Sequence, residues 1–233
     1  MAYSDPYPAT LEIDYPDHPL DRLTSFFRPL VFVPIGILLA LVSGPTALNE
    51  PRGGAAASDG VGLVVLGAGG VLFLPVALML VFRRKYPHWW FDWNLELTGF
   101  TARCFAYLAL LRDEYPSTDE EQAVHLELVY PEPASELNRW LPLVKWLLAI
   151  PHYILLAFLA VGAVFAVIAA WFAILFTGRY PRPLFDFVVG VFRWWLRVGA
   201  YAFLLITDRY PPFSLAASPR LDRQPPAYGP VAR

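Results

Sequence analysis

Reactive and charged side chains are scarce in this sequence. Cys104 is the only cysteine among 233 residues, which excludes an intrachain disulfide and any cysteine-based metal site. Charged residues make up 16%, with a formal net charge of -2. A nucleic-acid footprint needs Lys and Arg clustered on a soluble face, so that partner class is excluded. The four histidines (His18, His88, His125, His152) are scattered, and none has a second ligand at metal spacing. His125 and Glu127 share a strand face and read as a solvated pair. His152 follows Pro151 in an apolar run and reads as structural. No Ser, His and Asp arrangement is legible, and nothing around Cys104 signals an activated thiol. GAGG at 67–70 lacks the third glycine of a dinucleotide fingerprint and lies inside an apolar run, so it reads as helix packing. No catalytic residue, cofactor or metal ligand is expected.

Apolar surface is what the chain has in excess. Hydrophobic residues reach 57%, far more than a soluble domain of this size carries, which places the chain in a membrane. The N-terminus, MAYSDPYPATLEIDYP, is acidic and proline-rich, unlike the basic start of a cleaved signal peptide.

Two stretches share landmarks in fixed order. RKYPHWWFDWNLELTGFTARCFAYLALLRDEYPS and RYPRPLFDFVVGVFRWWLRVGAYAFLLITDRYPPFSL align Tyr86-Pro87 with Tyr180-Pro181 and Phe91-Asp92 with Phe185-Asp186. Arg103 then falls on Arg197, Tyr107 on Tyr201 and, after one residue of slippage, Tyr115-Pro116 on Tyr210-Pro211. The match predicts a tandem duplication. Repeat 1 (1–117) has a strand at 9–15, spans at 26–42 and 61–82, and an interfacial helix at 89–111. Repeat 2 (118–215) has a strand at 124–130, spans at 141–159 and 163–176 joined by a turn near Gly162, and an interfacial helix at 184–207. Residues 216–233 form a disordered cytoplasmic tail.

Alternation in ATLEIDY and VHLELVY, each stopped by proline, predicts the strands. The apolar runs have nearly the ~17–25 residues a spanning helix needs. Pro34 aligns with Pro151 and Arg28 with Lys145, and both cations are expected to snorkel to the headgroups. Gly162, Ala166 and Ala170 make a small-residue stripe suited to close packing, with Gly69 and Ala77 as a partial echo. The spanning runs contain no acidic residue, which weighs against an ion or proton transporter. Seven of the twelve tyrosines precede a proline at an element boundary, and these pairs are expected at the membrane surface.

Position of charge decides the third element of each repeat. Asp186, Gly190, Arg193 and Arg197 follow i, i+4, i+7, i+11, as do Asp92, Glu96, Gly99 and Arg103, which predicts amphipathic helices on the membrane surface. Basic clusters follow the second apolar run in both repeats, so the positive-inside rule puts both repeats in the same orientation with both termini cytoplasmic. Arg179, Arg182, Arg193 and Arg197 beside Trp194, Trp195 and Tyr201 are the candidate contacts for anionic phospholipid. Glu96 and Arg193, where the repeats have diverged to opposite charge, are the candidate inter-repeat ion pair.

The second stretch, with LPLVKWLLAIPHYILLAFL before it, resembles a family of uncharacterised bacterial membrane proteins, many actinobacterial, classed as a domain of unknown function. The first stretch departs from the pattern at Trp89 and Trp90, where the second has Pro183 and Leu184, and at Gly99, where the second has Arg193. The resemblance implies a membrane protein of bacterial origin and supplies no activity, and the apolar runs make the expected location a multi-pass one in the plasma membrane. The expected fold is an all-α membrane protein of two tandem parallel repeats with a small cytoplasmic β element. Its expected role is a non-enzymatic accessory or scaffold protein with a membrane-protein partner. A carrier or binder of lipid or another apolar molecule is the alternative, and a membrane enzyme the distant one.

Overall fold

In the computed structural model the described residues are 7–43, 79–80, 82–83, 86–117, 122–131, 137–138 and 140–218. The run at 61–82, the loop before it, residues 118–121 and residues 219–233 lie largely or wholly outside them.

Strand β1 (Ala9–Ile13) pairs antiparallel with β2 (Val124–Leu128), with Leu11 opposite Leu126 and Glu12 opposite His125. Alternation does what it should here: Ala9, Leu11 and Ile13 turn inward, and Thr10 and Glu12 turn to the other face. Helix α1 (Arg22–Ser43) and helix α2 (His88–Leu108) follow. A 3-10 turn (Leu141–Leu143) leads into the single turn α3 (Lys145–Leu148) and then the long helix α4 (Ile150–Thr177). Pro151 sits in the first turn of α4, where a missing N–H costs nothing. Gly178 ends the helix at φ 72°, a left-handed conformation that suits glycine. Helix α5 (Arg182–Ala202) returns against α4 and lies over β1.

Helix α5 is the hub. Val188, Val189, Gly190, Val191, Leu196, Val198, Ala200 and Tyr201 are all buried, so apolar contact surrounds it on several sides. Close approach to α4 uses the small residues expected for it: Ala163, Ala166 and Ala170 are buried, and a Cβ at Gly162 would stand 3.4 Å from the Phe187 ring.

Four expectations are corrected by this arrangement. The runs at 141–159 and 163–176 are not two spans with a turn near Gly162, because α4 runs unbroken through Gly162. A mid-helix glycine costs about 1 kcal/mol against alanine, which contact with α5 offsets. Among the described residues one helix, Ile150–Thr177, is long and apolar enough to cross a membrane. The architecture is therefore a mixture of helices with a two-stranded sheet, and not an all-α protein of two parallel repeats with two spans and an interfacial helix each.

Helix α5 does not lie on a membrane surface either. Its polar stripe faces protein: Gly190 and Arg197 are buried, Arg193 is half-buried and only Asp186 is exposed. Nor do the Tyr-Pro pairs mark a water boundary in general, since Tyr7, Tyr86 and Tyr180 are buried. Carbonyls take the place of water for most of these tyrosines. Tyr86 donates to the Leu204 carbonyl at 2.7 Å, Tyr130 to that of Tyr86 at 2.5 Å and Tyr15 to that of Tyr180 at 2.5 Å. Burial pushes the phenols of Tyr7, Tyr86 and Tyr180 well above their ordinary range.

The segment after α5 folds back along it. A Cβ on Gly190 would stand 2.9 Å from the Leu215 Cβ and 3.0 Å from the Leu215 carbonyl oxygen. Gly190→Ala must therefore displace main chain, and we expect it to lower stability by about 1–3 kcal/mol. At Gly199, where nothing lies within 4 Å, alanine should instead gain up to about 1 kcal/mol from helix propensity. Thermal unfolding of the two variants in detergent checks the opposite signs.

Candidate functional site

The four candidate lipid arginines separate into two pairs. Arg193 donates through Nε to the Leu11 carbonyl at 2.9 Å, which fixes α5 to β1. Arg197 donates to the carbonyls of Ser214 at 3.0 Å and Ala216 at 2.6 Å and to Ser218 Oγ at 3.1 Å. These two guanidiniums hold main chain. Burial lowers both values from the usual arginine range, most directly opposed at Arg193 by Glu12 and Asp186. Glu96 is not paired with Arg193 in the described structure, since the carboxylates that act on Arg193 are Glu12 and Asp186.

Arg179 and Arg182 stay exposed and share a pocket of about 340 Å³ at the junction of α4 and α5. Its other wall is the loop of Tyr15, Asp17 and His18. That loop is held to the end of α4 by the Leu20 N–H, which donates to the Gly178 carbonyl at 2.9 Å. The Arg182 guanidinium lies 4.3 Å from the Tyr15 ring centroid, a cation–π contact that leaves its N–H groups free to donate. Pro181 begins α5 without a side-chain cap. Arg22 is close as well: a Cβ at Gly178 would stand 3.8 Å from its guanidinium nitrogens.

Two buried cations were expected at the headgroups and are found in the interior. Arg28 donates through Nη1 to the carbonyls of Tyr107 at 3.1 Å and Arg112 at 2.9 Å and pairs through Nη2 with Asp113. Lys145 donates to the Thr207 carbonyl at 2.8 Å and lies 2.6 Å from Asp208 Oδ1. Each cation also sits over a tyrosine ring, Arg28 over Tyr107 at 4.6 Å and Lys145 over Tyr201 at 5.2 Å. Snorkelling fails because a carboxylate and main-chain oxygens wait at the end of the neighbouring helix. A signal was present in the sequence: Asp113 and Asp208 both stand two residues before a Tyr-Pro pair.

His152 is buried in an aromatic box, with its ring stacked on Phe213 at 4.1 Å. Its Nδ1 accepts from the Trp194 indole N–H at 3.0 Å, which puts the ring proton on Nε2. His125 pairs with Asp14 at 3.2 Å on an exposed edge. Cys104 is buried, and burial pushes its thiol up to about 12. Among the described residues no three His, Cys, Asp or Glu side chains come together to hold a metal.

A family model described as a domain of unknown function (DUF4389) matches residues 140–214. That interval holds Lys145, His152, Arg179, Arg182, Trp194 and Asp208. None of the curated proteins and none of the solved structures matches the chain.

Proposed function

We propose that the protein is a non-enzymatic accessory or scaffold protein of a bacterial plasma membrane, anchored by α4. The outward face of α4 carries the reading. Ile154, Phe158, Val161, Val164, Phe165, Ile168, Phe172 and Phe176 are all exposed on a helix that has no charged residue. In water this would be a continuous apolar patch of the kind that soluble proteins avoid. At about 1.5 Å per residue the 28 residues of α4 exceed the roughly 30 Å of a hydrocarbon core. The use of polar groups supports the non-enzymatic part: Arg28, Lys145 and Arg197 are spent on main-chain carbonyls, and His152 on an indole.

The protein should stay in the membrane pellet through an alkaline carbonate wash. Val161→Arg with Val164→Arg places two charges mid-helix, each costing about 2.5–3.5 kcal/mol there, and should move the protein out of the membrane fraction. Release of the parent by carbonate overturns the anchorage. Native mass spectrometry from mild detergent tests the role: a stoichiometric protein partner supports a scaffold, and a protein that always appears without one overturns it. The second reading, a binder of lipid, is favoured by the pocket at the end of α4.

A further inference from the structure

We propose that the pocket between the Tyr15–His18 loop and the Arg179–Arg182 turn binds the phosphate of an anionic phospholipid, whose acyl chains lie along α4. The inference rests on the membrane reading above, because the pocket opens where the apolar helix ends. Thr177 is the last residue of α4 and Arg179 comes two residues later, so the guanidiniums stand where an apolar helix gives way to headgroups. Phe176 and Phe172, one and two turns before the pocket, point outward and offer apolar contact for a chain.

The chemistry of the walls selects the ligand. Arg179 and Arg182 have no carboxylate within 4.0 Å among the described residues, unlike Arg28 and Arg112, which are paired. A guanidinium fork matches two phosphate oxygens, and stacking of Arg182 on Tyr15 holds one fork in a fixed plane. The volume of about 340 Å³ is at the lower end for small-molecule sites and suits a headgroup rather than a whole lipid. Asp17 in the same wall offsets part of the positive charge of Arg179, Arg182 and the nearby Arg22, so the pocket keeps a net positive charge for an anion. A phosphodiester is such an anion. The pocket is therefore assigned to a phosphodiester headgroup, with phosphatidylglycerol as the simplest example.

Binding is measured by titration on the full-length protein in neutral detergent, with three probes: dioctanoyl phosphatidylglycerol, inorganic phosphate and dioctanoylglycerol. The parent should bind the phospholipid at least tenfold more tightly than either of the others. Arg179→Gln with Arg182→Gln should weaken phospholipid binding at least tenfold, since two charge-assisted donors are lost. Asp17→Asn should tighten it about two- to fivefold through removal of a like charge, a gain that misfolding cannot imitate. Equal affinity in the parent and the double arginine variant overturns the site. Inorganic phosphate binding as tightly as the phospholipid overturns the lipid assignment, and dioctanoylglycerol doing so overturns the phosphate contact. Membrane anchorage is read separately by the carbonate wash, which does not involve the pocket, so failure of either reading is visible by itself.

Discussion

Lys145→Ala is expected to destabilise the protein by about 3–5 kcal/mol, the cost of leaving one member of a buried ion pair alone. The Lys145 side chain is 0% exposed and Asp208 is 19% exposed, so the lysine carries the larger desolvation cost and its partner is partly wetted. Asp208→Ala should therefore cost as much or more, because it strands a fully buried cation. Asp208 also accepts from the Asn138 main-chain N–H, so its loss frees a second segment. The double change Lys145→Met with Asp208→Asn removes both charges and keeps the volume, and should recover most of the loss. Thermal unfolding in detergent of the parent, Lys145→Ala, Asp208→Ala and the double Lys145→Ala with Asp208→Ala gives the coupling; strictly additive losses would refute the pair. Burial holds the lysine below its usual value, opposed by Asp208. Between that lowered value and about 10.4 the unfolded chain keeps a proton that the folded chain releases, so this group's contribution to stability rises with pH in that window.

Arg28→Ala should cost a similar 3–5 kcal/mol for the same reason, yet the two cations should answer differently to exchange. Arg28 serves two carbonyls and one carboxylate through two nitrogens of a rigid fork. Lys145 serves one carbonyl and one carboxylate from a single point. Arg28→Lys cannot span its three acceptors and should lose about 1–3 kcal/mol. Lys145→Arg must fit a larger group into a fully buried space and should lose a comparable amount by overpacking. The distinguishing measurement is rescue: Asp113→Glu brings a carboxylate closer to a shortened donor and should recover part of the Arg28→Lys loss, whereas Asp208→Glu should not improve Lys145→Arg. Full stability in Arg28→Lys would mean that charge alone, and not the fork, holds α1 to the end of α2.

Both cations meet the same kind of turn. Leu110 and Leu205 have φ of 63° and 57°, a left-handed conformation that costs leucine roughly 1–2 kcal/mol. Each is buried, so apolar contact offsets the backbone cost, and glycine, which usually ends a helix this way, would forfeit that contact. The turns bring the carbonyls of Arg112 and Thr207, with Asp113 and Asp208, onto Arg28 and Lys145.

The sequence by itself determined the local elements. Alternation of period two located both strands, which end two residues short of the expected limits at Ile13 and Leu128. Apolar length marked the region of α4 but divided it into two spans at Gly162, and the aligned landmarks located the helices that became α2 and α5. It also brought out Arg179 and Arg182, though not Asp17 and His18, which come from a distant loop with no motif of its own. Only the tertiary structure decided what covers each surface. Hydropathy scores an apolar face identically whether protein or lipid lies against it, so α5 read as interfacial although α4 and β1 enclose it. Arginine in a stripe signals water until a carbonyl is found at its end, and carbonyls such as that of Leu11 come from parts of the chain far away in sequence. Pairing between the two like stretches was undetermined for a related reason. Strand β1 packs on α5 and β2 on α2, and the Tyr15 and Tyr130 hydroxyls reach the carbonyls of Tyr180 and Tyr86 respectively. Two helices with the same landmarks offer each strand nearly the same partner, and only the packed core, by fixing which one lies within reach, makes the choice.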